Sequence, residues 1–214
     1  MGDGNISLIE FFKLGGWAMW PLLVFSVATV AIILERIIFF ITHNFKVTDL
    51  NNRLIQAISD NKFDDALSLC KTSKKNKLAS PILSEAIKSH RFGESRMEKS
   101  LEAESSKVLN ELERGLNFLV ALGSLAPITG FLGTVSGMIT AFRDIANAAD
   151  INAQLVAGGI FEALITTAYG LSIAIMAIAA HNILTHIVDK FATDIELSGT
   201  EIISSILTVT EGKN

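Results

Sequence analysis

The sequence predicts an all-α integral membrane protein, with three long transmembrane helices and a helical polar region between the first two. Three observations predict this class. Half of the 214 residues are hydrophobic and the mean hydropathy is +0.44, yet 19% are charged. That is too apolar for an ordinary soluble domain and too charged for a chain wholly in lipid. The charge is segregated: 13 of 18 Lys and Arg and 11 of 22 acids lie between Lys46 and Arg114. Finally, three stretches reach the roughly 20 apolar residues that crossing a bilayer takes.

Taken in order, residues 1–14 read as an interfacial amphipathic helix centred on Ile6 to Leu14. A signal peptide is disfavoured: the only early base is Lys13, Asp3 and Glu10 are acidic, and no small-x-small cleavage site is clear. Residues 15–42 form the first span, uncharged from Gly15 to Leu34, with Trp17 and Trp20 as an aromatic belt at its start. Residues 43–114 form a helical loop. Leu50, Leu54, Ala57 and Ile58 recur at helical spacing, as do Ala66, Leu69 and Cys70. Lys71 to Lys77 reads as a basic turn, and Ser80-Pro81 as an N-cap and first helical residue. From Glu94 to Glu113 charges of alternating sign predict a solvated helix with local ion pairs, running straight into the second span.

The second span, 115–142, holds 28 uncharged residues. A connector follows at 143–154, then a third span at 155–185 and an amphipathic C-terminal helix at 186–214 with Ile195, Ile202, Ile203 and Ile206. Arg36, Lys46, Lys107 and Arg114 flank the loop, whereas the connector holds one Arg and two Asp. The loop is therefore expected on the cytoplasmic side, with the N-terminus periplasmic and the C-terminus cytoplasmic.

Several function classes fall away. The net charge is −4, and no basic patch is interleaved with aromatics, which argues against nucleic-acid binding. The sequence has no HExxH, cysteine pair or phosphate loop, so no enzyme and no cofactor is expected. Its single cysteine, Cys70, reads as a half-buried helix residue. His43, His181 and His186 fall near span ends and His90 in the loop, as interfacial or solvated residues.

One residue breaks the apolar pattern. Glu162 lies inside the third span, and no other acid follows until Asp189. A charge at mid-bilayer costs roughly 3 kcal/mol on insertion scales, so such a group is usually kept for ions, protons or a specific partner. The alternative is a carboxylate that only hydrogen-bonds a neighbouring helix. Thr166 is four residues on, about 40° around the helix, whereas Thr167 is about 140° away. Helical period alone therefore does not put Glu162 and Thr167 on one face. The second span carries a small stripe, Gly123, Pro127, Gly130, Thr134, Gly137 and Ala141, and the third carries Gly159, Ala163, Thr167, Gly170, Ala174 and Ala177. Such stripes let membrane helices approach closely, and tight packing alone would explain them. Thr134 is the exception, a hydroxyl able to hold water or a proton-bearing partner.

These residues carry a resemblance. Ala126-Pro-Ile-Thr-Gly-Phe-Leu-Gly133-Thr134-Val-Ser-Gly137 is similar to the second-span signature of the ExbB/TolQ/MotA proton-channel family. Gly159-Ile-Phe-Glu162-Ala-Leu-Ile-Thr166-Thr167-Ala-Tyr-Gly170 is similar to its third-span signature, with further matches at Ile33-Leu-Glu35-Arg36 and Asn182. Where the family pattern has a proline, this chain has Met176, which leaves the helix bend there open.

The resemblance implies an inner-membrane subunit, a homopentamer whose second and third spans line a central pore. It implies a dimer of a single-span ExbD/TolR-type partner in that pore, bearing a membrane Asp, and a TonB- or TolA-like energy transducer. Protons are the coupling ion. Thr134 and Thr167 carry over as pore hydroxyls and Glu162 as the pore-facing carboxylate, with Thr166 beside it. Pro127, Gly130, Gly133, Gly137, Gly159, Ala163 and Gly170 are expected to line the pore or pack the helices. Three spans and one large loop favour an ExbB-like branch, with a TolQ-like one next and four-span MotA-like stators further off. The rival class is a scaffold whose spans only hold the single-span partner.

Overall fold

The computed structural model describes residues 12, 14–73, 76–147 and 153–211, and among them all regular structure is helical. The helices among the described residues are α1 Met19–Thr42, α2 Thr48–Ser59, α3 Phe63–Thr72, α4 Ala79–Lys88, α5 Glu94–Glu113, α6 Leu116–Asn147 and α7 Ala153–Glu211. A short 3-10 turn, His90–Phe92, precedes α5. The predicted helix at 1–14 lies, but for Phe12 and Leu14, outside the described residues, as do Lys74, Lys75 and residues 148–152.

The chain divides into two compact units. The first comprises residues up to Glu35 together with Asn117–Asn182. Its core is Met19 and Leu22 of α1 packed with Ala126 of α6 and Ile165 and Ile173 of α7, with Phe12, Phe25 and Tyr169 against it. Many apolar side chains outside this core are uncovered, among them Val24, Val27, Ile128, Phe131 and Ile175. Only 11% of the apolar window of α1 is buried. In water that surface would be ruinous; in lipid it is the solvated face. Among the described residues three helices, α1, α6 and α7, are long and apolar enough to cross a membrane.

The second unit comprises Arg36–Leu116 and Ile183–Asn214. Leu50, Leu54 and Ile58 of α2 are fully buried, as the spacing predicts, with Ile82, Leu83 and Ile87 of α4 and Phe191, Ile195 and Ile202 of α7. Asn61, with φ 60, ends α2: its N–H donates to the Ile58 carbonyl at 2.8 Å and that of Lys62 to the Ala57 carbonyl at 2.9 Å. That is the Schellman pattern, closed here by asparagine in the left-handed region. Asn51 anchors α2 to α7 by donating to the Glu201 carboxylate at 2.5 Å. Phe45 meets Phe191 edge-on, with ring centroids 5.4 Å apart.

Four expectations need correction. α4 begins at Ala79, so Pro81 is its third residue, and Ser80 is buried with its hydroxyl unpartnered rather than capping. Cys70 is buried, not half-buried, and burial pushes its thiol up to about 11 despite nearby Lys88. The helix from Glu94 does not run straight into the second span: it breaks at Arg114 and Gly115. Arg36 lies at that break, donating from Nη1 to the Leu112 carbonyl at 3.4 Å, and a Cβ on Gly115 would stand 2.6 Å from its Cζ. Finally, no break separates a third span at 185 from a tail at 186, because α7 is one helix of 59 residues. Hydropathy falls along it, but no glycine or proline interrupts the backbone after Gly170 until Gly199, which fits tightly against Leu101. Met176 lies within this unbroken helix.

Candidate functional site

Within the first unit, α6 and α7 run antiparallel and nearly touch along their small residues. A Cβ on Gly130 would stand 2.7 Å from the Thr166 carbonyl oxygen and 3.2 Å from Thr167 Cα. One on Gly170 would stand 2.6 Å from the Ala126 carbonyl oxygen. Gly137 and Gly159 likewise face each other, a Cβ on Gly137 coming within 2.8 Å of the Gly159 carbonyl. These are main-chain atoms, so no rotamer change could make room. The glycines permit backbone contact, which in lipid replaces the hydrophobic drive as the force holding helices together. Gly133 packs on Thr166, and Ala163 is buried between them and Gly137. Pro127 is half-buried beside Ala126.

This close approach brings Thr134 of α6 to Thr167 of α7, hydroxyl to hydroxyl. Thr134 Oγ1 also donates to the Ala163 carbonyl at 3.1 Å, and Thr167 Oγ1 to the Gly130 carbonyl at 3.3 Å. Two hydroxyl protons thus serve two hydroxyl oxygens and two carbonyls. Either hydroxyl can donate to the other while the second donates to a carbonyl, so the chain can run in two directions. Thr166 takes no part. It is fully buried against Gly133 and donates back to the Glu162 and Ala163 carbonyls at 3.2 and 3.0 Å.

Glu162 is half-buried. Its carboxylate lies against Gly16, in the turn before α1, and no hydrogen bond joins it to the Thr134 or Thr167 hydroxyl among the described residues. The 140° separation read from the sequence is kept. Two contacts were not foreseen: Gly16, with φ +66, sits over Glu162, and Trp17, expected only as an interfacial aromatic, donates from Nε1 to Ser136 Oγ at 2.9 Å. The Gly15-Gly16 pair at the head of a span was the only hint of the first.

Helices this long and apolar, locked through glycine, with a hydroxyl pair between two of them and a carboxylate in the third span, define an integral membrane protein. The class narrows with comparison. Residues 74–197, more than half of the chain, match the model of the MotA/TolQ/ExbB proton channel family, and the chain belongs to that family. It is 27% identical over 207 residues to a Synechocystis biopolymer transport protein named ExbB-like 1, covering 91% of this chain and 80% of that relative. It is 28% identical over 174 residues to the biopolymer transport protein ExbB of Salmonella typhimurium, covering 77% and 70%. It is 44% identical over 77 residues to the Tol-Pal system protein TolQ of Pseudomonas aeruginosa, covering only 36% and 33%.

Proposed function

We propose that this chain is the proton-conducting, force-generating subunit of an inner-membrane complex of the ExbB–ExbD type, energising transport across the outer membrane. The observation that carries the reading is the Thr134–Thr167 hydroxyl pair between two backbone-packed membrane helices. A proton cannot enter lipid unsolvated, and such a pair supplies both a donor and an acceptor there. A proton delivered to one hydroxyl leaves from the other as the hydrogen-bond chain reverses direction, without moving a heavy atom far. Glu162, which is costly to keep in a membrane, supplies a second titratable station. The partner is a single-span ExbD/TolR-type dimer whose membrane Asp exchanges protons with these groups. One charge crossing 100 mV is worth about 2.3 kcal/mol, the work available per proton.

In this reading five copies surround that dimer, α6 and α7 line the pore, and the partner hands work to a TonB-like transducer. The apolar surface left uncovered in one chain supports lipid and neighbouring copies as its cover. Charge flanking the spans supports a cytoplasmic second unit and C-terminus and a periplasmic N-terminus. The second reading is a TolQ-like subunit acting with a TolA-like transducer in envelope maintenance, favoured by the 44% identity over 77 residues to a TolQ.

Complementation tests both. In a strain lacking the protein, the chain and its partner should restore proton-motive-force-dependent uptake, and Thr134→Val, Thr167→Val or Glu162→Gln should abolish it while the complex is still recovered. Full uptake in all three variants would refute the proton path. Restored detergent resistance without restored uptake would favour the TolQ-like reading.

A further inference from the structure

The turn before α1 is held to α6 and α7 at four consecutive residues. A Cβ on Gly15 would meet Ile165 Cγ2 at 3.4 Å. One on Gly16 would collide with the Glu162 carboxylate, whose Cδ lies 2.7 Å from that position. Trp17 Nε1 donates to Ser136 Oγ at 2.9 Å, and Ala18 is buried with its Cβ 3.0 Å from the Cβ position of Gly133. Gly16 has φ +66, where a side chain is strained whatever space surrounds it. The backbone conformation therefore demands glycine where the turn crosses the carboxylate, whereas the Glu162 carboxylate, at the end of a flexible side chain, would be pushed aside by a methyl group there. The indole hydrogen bond is an independent tie on the adjacent residue.

We propose that Gly16 and Trp17 are positioning residues for Glu162: the turn covers one side of the carboxylate, and the Trp17–Ser136 bond keeps it closed. The meaning of this cover for transport rests on the reading of Glu162 as a proton station. The geometry itself is independent of that reading. With the turn closed, Glu162 exchanges with one side only; with the turn open, its carboxylate is reachable from both.

The test uses the full chain, co-expressed with its partner and kept in membranes. Dicyclohexylcarbodiimide, an apolar carboxyl reagent, is applied and modified Glu162 is quantified by mass spectrometry. Trp17→Phe and Ser136→Ala should each raise the labelling rate about two- to tenfold, the population shift expected from losing one hydrogen bond. The double variant should label no faster than either single one. Ser136→Thr, which keeps the hydroxyl, should label as the wild type does. Gly16→Ala should also expose the carboxylate, and if that variant is not recovered the two hydrogen-bond variants decide. Unchanged labelling in Trp17→Phe and Ser136→Ala, or labelling of the wild type already as fast as theirs, would overturn the proposal. Full uptake by Glu162→Gln would instead remove the proton-station reading, while the labelling rates would still decide whether the turn covers Glu162.

Discussion

Replacing Thr167 by valine separates conduction from packing, because the structure bounds the cost. Valine keeps the volume and loses one hydroxyl, which meets Thr134 Oγ1 and donates to the Gly130 carbonyl. A net hydrogen bond is worth about 1 kcal/mol in proteins, and interhelical ones in membranes average about 0.6 kcal/mol. Thr134 keeps its bond to the Ala163 carbonyl, so no buried hydroxyl is orphaned. The backbone contacts at Gly130, Gly137, Gly159 and Gly170 are untouched. The variant should therefore lose about 0.5–1.5 kcal/mol, too little to dismantle an assembly held by a whole helix interface. The assay is uptake driven by proton-motive force, run beside recovery and thermal stability of the detergent-extracted complex. The expected result is an intact complex with uptake at background. Undiminished uptake would refute the argument. So would loss of the complex, which would make Thr167 a packing residue and return the scaffold reading.

Further outcomes follow from other contacts. Gly130→Ala should destabilise the α6–α7 pair by about 1–3 kcal/mol, because the new methyl meets only main-chain atoms, whereas Gly158→Ala, facing nothing within 4 Å, should be tolerated; melting of the extracted protein distinguishes them. Asn51→Ala should cost about 1 kcal/mol by releasing Glu201, read as a lower thermal midpoint that Glu201→Ala does not lower further. Cys70, with its thiol pushed up to about 11 against an ordinary value of 9.0, should react with maleimide at pH 8 about a hundredfold more slowly in the folded than in the unfolded chain. The folded state holds that proton more tightly, so this contribution to stability is present below pH 9.0 and is lost as pH rises toward about 11.

Much of the site was legible because a membrane removes ambiguity. Runs such as Gly15 to Leu34 and 115–142 admit only helices in lipid, and their length marks the spans. The stripe at Gly123, Gly130, Thr134 and Gly137 marked the face of α6 that packs, since residues three and four apart share a side. The same arithmetic kept Glu162 away from Thr167. Local caps read less well. Ser80-Pro81 has the composition of a helix start, but packing of Ala79 and Ile82 drew the helix back to include both. At the other extreme, α7 runs through 185 because a helix ends where its backbone is interrupted, not where hydropathy falls.

By itself, then, the sequence determined the helical class, the three apolar spans, the packing stripes and the angular order of Glu162, Thr166 and Thr167, all properties of one helix and its solvent. Only the tertiary structure decided that Thr134 meets Thr167 while Thr166 is turned into the packing against Gly133. It also decided that Gly16 and Trp17 lie over Glu162 and Ser136, and that Arg36 fills the break at Gly115. Those pairings depend on the register between separate helices, which is set by how closely their backbones can approach and which no periodicity within a single segment encodes.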